Sequence, residues 1–89
     1  MAKVVFTPNI QRHVACPPAE APGANVGEVL RAVFADNSRA ASYVLDDQGG
    51  LRKHMAIYID GRLIRDRRHL TDPVSDTATI YVFQALSGG

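Results

Sequence analysis

The sequence predicts an α+β domain: a mixed sheet of four to five strands with one main helix across one face and a short second helix. Three observations carry this. Short β-branched and aromatic runs near residues 3–7, 51–59 and 78–85 read as strands. Val26, Val29, Leu30, Val33 and Phe34 recur at i, i+3, i+4, i+7 and i+8, the spacing of a helix with one apolar face. The last run, Ile80-Tyr81-Val82-Phe83, is apolar on both sides and suits a central strand rather than an edge.

Composition bounds the rest. A chain of 89 residues, 46% hydrophobic, makes one domain, and folding at this length buries somewhat over ~60% of the unfolded surface. A net charge of +1 supplies no field to steer the protein toward nucleic acid or an anionic membrane. The apolar start is too short for a signal-peptide core and no apolar run approaches ~20 residues, so the expectation is a cytoplasmic protein without a membrane partner. Cys16 is the only cysteine, which excludes an internal disulfide and a cysteine metal cage.

Taken in order, residues 3–7 form the first strand, and Thr7-Pro8-Asn9 carries turn chemistry. A second strand is expected over residues 10–16, with Ile10, Val14 and Cys16 in phase. Pro17 and Pro18 end it and mark it as an edge, because neither donates a ladder hydrogen bond. Residues 17–23 read as a loop. Asn25 is placed to cap the main helix, with Glu28 three residues on as a partial capping box. Asp36-Asn37-Ser38 closes that helix and caps a short one over residues 39–45, where Ala41, Val44 and Leu45 share a side.

Residues 46–50, Asp46-Asp47-Gln48-Gly49-Gly50, read as a flexible turn. The third strand covers residues 51–59, with Met55, Ile57 and Ile59 on one face and His54, Ala56 and Tyr58 on the other. Asp60-Gly61 is a strong hairpin signal, and Arg62-Leu63-Ile64 returns as a short fourth strand. Residues 65–76 are polar and irregular, anchored by Leu70 and Val74, before the final strand over residues 78–85.

A last strand apolar on both sides belongs at the sheet centre beside the first. A connection through the helix makes those two parallel. This is the β-grasp layout. Ile80 and Val82 then face the core while Tyr81 and Phe83, beside Tyr58, stand on the open face, where an aromatic patch marks a protein contact. The competing reading places that patch under the loop of residues 65–76. Residues 1–85 would form the domain and residues 86–89, Leu86-Ser87-Gly88-Gly89, a flexible tail. Two terminal glycines are thin enough to thread a carboxylate into a narrow site.

The β-grasp order, the stretch from Ala56 to Ile64 around Asp60-Gly61, and the terminal Ala85-Leu86-Ser87-Gly88-Gly89 together resemble the ubiquitin-like sulfur carriers of the MoaD/ThiS family. These are the molybdopterin-synthase small subunits and thiamin-biosynthesis carriers. The resemblance implies that an adenylating enzyme of the ubiquitin-activating type uses ATP and Mg to adenylate the Gly89 carboxylate. A sulfurtransferase then supplies the sulfur of a thiocarboxylate, and an acceptor synthase consumes it. It implies further that Gly88 accompanies Gly89 into the partner's site, that Leu86 and Ser87 with Tyr58, Tyr81 and Phe83 meet partners, and that no cofactor is bound. The carrier would be a monomer when free and not itself an enzyme. Gln84 departs from the pattern, standing where several members carry a proline just after the last strand.

From elementary chemistry, a terminal carboxylate with a pKa near ~3.5 is ionised and inert at neutral pH, and an acyl adenylate converts it into an electrophile with a good leaving group. Two other functions fit the same chain: a protein modifier joined through Gly89 to lysine, and a β-grasp binding module without tail chemistry. Cys16, next to two prolines, reads as a packing residue. His13, His54 and His69 lack metal-ligand spacing. Arg62, Arg65, Arg67, Arg68 and His69 form one dense basic stretch without interleaved aromatics, read as a solvated loop or as a surface that meets an acidic partner.

Overall fold

The computed structural model describes residues 1–84. The expectations for the tail, including Leu86, Ser87, Gly88 and Gly89, lie outside the described residues. The strands are β1 (Ala2–Phe6), β2 (Ala19–Ala21), β3 (Met55–Ile59), β4 (Arg62–Leu63) and β5 (Thr79–Gln84). They form one sheet in the order β2-β1-β5-β3-β4. As expected, β5 is central and parallel to β1; on its other flank it pairs antiparallel with β3. The register sets Val4 beside Ile80 and Phe6 beside Val82 on one flank, and Ile59 beside Ile80 and Ile57 beside Val82 on the other. These six side chains are buried on one face.

The helices are α1 (Pro8–Gln11), α2 (Val26–Phe34) and α3 (Ser38–Val44). The α2 stripe behaves as its spacing demands: Val26, Val29, Leu30 and Phe34 are buried and Val33 packs against the core from its margin. Its cap is a capping box displaced by one residue. Asn25 Oδ1 accepts the Glu28 N–H at 2.9 Å, while Glu28 Oε1 accepts the N–H of Ala24, also at 2.9 Å. The next free donors are met by the loop before β5, with Val26 N–H on the Asp72 carbonyl (3.0 Å) and Gly27 N–H on that of Leu70 (2.9 Å). A Cβ on Gly27 would lie 3.3 Å from the Leu70 carbonyl oxygen, so glycine permits this close approach.

The first connection corrects the sequence reading. Residues 10–16 are not a strand: α1 begins directly after the extended Thr7, with proline at its first position, where a missing N–H costs nothing. Gln11, Arg12 and His13 are three polar residues in succession, so the apparent phase of Ile10, Val14 and Cys16 was never a period-two alternation. Those three are buried singly. The edge strand lies instead inside the expected loop, where Ala19–Ala21 pairs antiparallel with β1. Pro17 and Pro18 precede it rather than end it.

Elsewhere the differences are small. The short helix is capped by Asn37, whose Oδ1 accepts the Ala40 N–H, and it buries Ala40 and Val44. Residues 46–50 form a closed turn with Asp46 Oδ1 accepting the N–H groups of Gln48 and Gly50. The third strand starts at Met55 rather than Leu51, and Leu51 bridges to Leu45. Asp60 (φ 49°) and Gly61 (φ 87°) make the turn between β3 and β4.

Candidate functional site

Alternation along β5 leaves Tyr81 and Phe83 on the face that α2 does not cover, 41% and 39% exposed. Cross-strand pairing sets Tyr58 opposite Tyr81 and Ala56 opposite Phe83. The ring of Phe83 lies 5.3 Å from that of Tyr58, edge-on, and 5.1 Å from that of Tyr81, within the range of favourable aromatic pairs. Leu63, opposite Tyr58, extends the patch and is 55% exposed, and Val5, beside Tyr81, backs it from β1. Lys3 and Glu20 pair across β1 and β2 at its polar margin. The structure thus brings Tyr58, Tyr81 and Phe83 together, and the patch is open. The loop of residues 65–76 closes over the start of α2 instead.

That loop is organised by two carboxylates. Asp72 accepts the N–H groups of Arg65 and Asp66. Asp66 accepts the Thr71 hydroxyl and the N–H groups of Arg68, His69 and Thr71. The Thr71 hydroxyl first, and then these amides, lower the Asp66 pKa to about 2. Arg67 is tied down as well, donating to the carbonyls of Arg52 (3.0 Å) and Lys53 (3.3 Å). Lys53, Arg67 and Arg68 line a shallow groove with Asp46, Gly50 and Leu51. The Asp46 carboxyl is held below its ordinary range by the Gly50 and Gln48 amides.

Cys16 is buried, its thiol donates to the Val14 carbonyl, and desolvation raises its pKa, which suits packing and not nucleophilic chemistry. His13 stacks on Tyr43 at 5.6 Å. No cluster of metal-ligating side chains occurs among the described residues, and no described helix is long and apolar enough to cross a membrane. One feature escaped the sequence reading: Tyr43 donates its hydroxyl to Gln84 Oε1 at 2.8 Å, joining α3 to the last residue of β5. The signal was the lone polar residue in phase with Ile80 and Val82.

The ThiS family model matches residues 12–89. No curated protein matches the chain. The fold is similar to that of a chain in the Amycolatopsis orientalis BexX/CysO complex, with a TM-score of 0.82, 21% identity, and 100% of both chains covered. SAMP1 of Haloferax volcanii gives a TM-score of 0.77 at 22% identity over 99% of this chain and 98% of that one. CysO of Mycobacterium tuberculosis gives 0.79 at 19% identity over 97% of this chain and 100% of that one. At such identities the likeness speaks for the fold.

Proposed function

Because the chain belongs to the ThiS family of small ubiquitin-like sulfur carriers, we propose that it carries sulfur as a thiocarboxylate on Gly89. One observation carries the reading: the central strand of the sheet ends at Gln84, only five residues before Gly89 in sequence, beside an uncovered aromatic face. The body would be held by a partner through Tyr58, Tyr81 and Phe83 while the last residues reach its active site. From Gln84, five residues extend at most ~17 Å, enough to cross a narrow channel.

The partner that fits is an adenylating enzyme of the ubiquitin-activating type. A Gly89 carboxylate oxygen attacks the α-phosphorus of ATP, forming the acyl adenylate and releasing pyrophosphate. Sulfide, or the persulfide of a sulfurtransferase, then attacks the acyl carbon and AMP departs. Sulfide gives the thiocarboxylate directly, and a persulfide gives an acyl disulfide that a thiol must cleave. The carrier needs no base of its own, because each leaving group is activated by ATP; its contribution is to bind and deliver. ATP and Mg belong to the partner. The free carrier is a monomer acting in the cytoplasm, and it passes its sulfur to an acceptor synthase of cofactor or metabolite biosynthesis.

A variant with one residue added after Gly89 tests this. It should keep the wild-type melting temperature and lose ATP–pyrophosphate exchange with the activating enzyme captured from extracts of the source organism. Exchange at the wild-type rate would refute a reaction at Gly89. A second reading, protein modification, is favoured by the similarity in fold to the small archaeal modifier protein 1 of Methanosarcina acetivorans. Peptides carrying Gly89 in isopeptide linkage to lysine would support it.

A further inference from the structure

Gln84 is out of place by the rule that governs the rest of β5. It lies in phase with Ile80 and Val82, both wholly buried, and opposite Met55, 1% exposed. Its side chain therefore belongs to the helix-covered face, at the rim where the strand ends. Ladder pairing on its other flank has already stopped. Phe6 pairs with Val82, Thr7 N–H bonds the Val82 carbonyl at 3.1 Å, and the chain then turns away at Pro8 into α1. Past that point, among the described residues, β5 has a ladder partner only in β3.

Tyr43 fills the gap, with its hydroxyl donated to Gln84 Oε1. The tyrosine is itself held. His13 stacks on its ring at an interplanar angle of 23°, and Asn37, which caps α3, donates its Nδ2 to the Ala15 carbonyl at 2.7 Å. Residues 13–15 thus hold α3, and α3 reaches through Tyr43 to the last described residue of β5.

We infer that Tyr43 is a positioning residue: through Gln84 it fixes the end of β5, the point from which the five residues that follow in sequence carry Gly89 to the activating enzyme. This rests on the carrier reading. The bond lies on the opposite face of the sheet from the aromatic patch, so it acts on placement of the carboxylate and not on docking of the body. A strand end that shifts carries the anchor of the terminal segment with it, and reacting groups tolerate little misplacement.

The experiment is adenylation kinetics with the captured activating enzyme, using Tyr43→Phe, Gln84→Met and Gln84→Glu. Tyr43→Phe keeps the ring and its stack on His13. It should lower kcat about tenfold, within the up to ~100-fold that a misplaced reacting group costs, with KM for the carrier unchanged. Gln84→Met should do the same and Gln84→Glu, which keeps an acceptor oxygen, should retain activity. The double variant Tyr43→Phe/Gln84→Met should lose no more than either single one. Wild-type kcat in Tyr43→Phe, or independent losses that multiply in the double variant, would overturn the inference. Failure of wild type itself to be adenylated would refute the carrier reading, and this inference with it.

Discussion

At the scale of single residues, short polar side chains hold what the core does not. Asp66 is the clearest case, a half-buried residue whose carboxylate gathers the Thr71 hydroxyl and three amides of its own loop and has a pKa lowered to about 2. A depressed pKa contributes stability above the unfolded value, near 3.9, and that contribution is lost as pH falls toward about 2. Thermal melts between pH 5 and pH 2 should therefore show a decline that Asp66→Asn flattens. Equal slopes in the two proteins would mean that the charge contributes nothing to the loop. The same scale holds what the sequence concealed. Gln84 read as a departure from a family pattern, and its partner Tyr43 lies 41 residues away. No local spacing announces such a pair.

At the scale of elements, a residue pattern was legible where one periodicity ruled a whole segment. Val26–Phe34 and Met55–Ile59 form where their apolar phases place them, and Asp60-Gly61 turns where its tolerance of positive φ allows. The first connection was not legible. Proline reads alike as a turn residue and as a helix start, and Ala19-Glu20-Ala21 has too little side chain to signal a strand that only pairing with β1 creates. The cap of α2 makes a direct test. Asn25→Ala removes the Oδ1 acceptor of the Glu28 N–H and should cost about 1 kcal/mol in denaturant unfolding. No measurable loss would mean that the carbonyls of Leu70 and Asp72 suffice to hold that helix end.

At the scale of the whole molecule, β5 divides the work between two faces. Ile80 is wholly buried between Val4 and Ile59, and Ile80→Ala should destabilise by about 2–5 kcal/mol in denaturant melts. Its neighbour Tyr81 faces outward, so Tyr81→Ala should cost far less stability while raising KM for the activating enzyme. If the two variants behaved alike in both measurements, the separation of a folding face from a docking face would fail. That Ile80 and Val82 share one face and Tyr81 and Phe83 the other was readable from alternation, because a period of two leaves no third choice. That the loop of residues 65–76 closes over the start of α2 and not over the aromatic patch was not, since it depends on carbonyls meeting the free amides of Val26 and Gly27.

The central claim is that this scaffold delivers the Gly89 carboxylate for activation and sulfur loading. Intact-protein mass spectrometry after incubation with the captured activating enzyme, ATP, Mg and sulfide tests it most directly. The expected result is a mass gain equal to one oxygen-for-sulfur exchange, dependent on ATP and located by fragmentation at Gly89. An unchanged mass, with the enzyme active on another carrier in the same mixture, would contradict it.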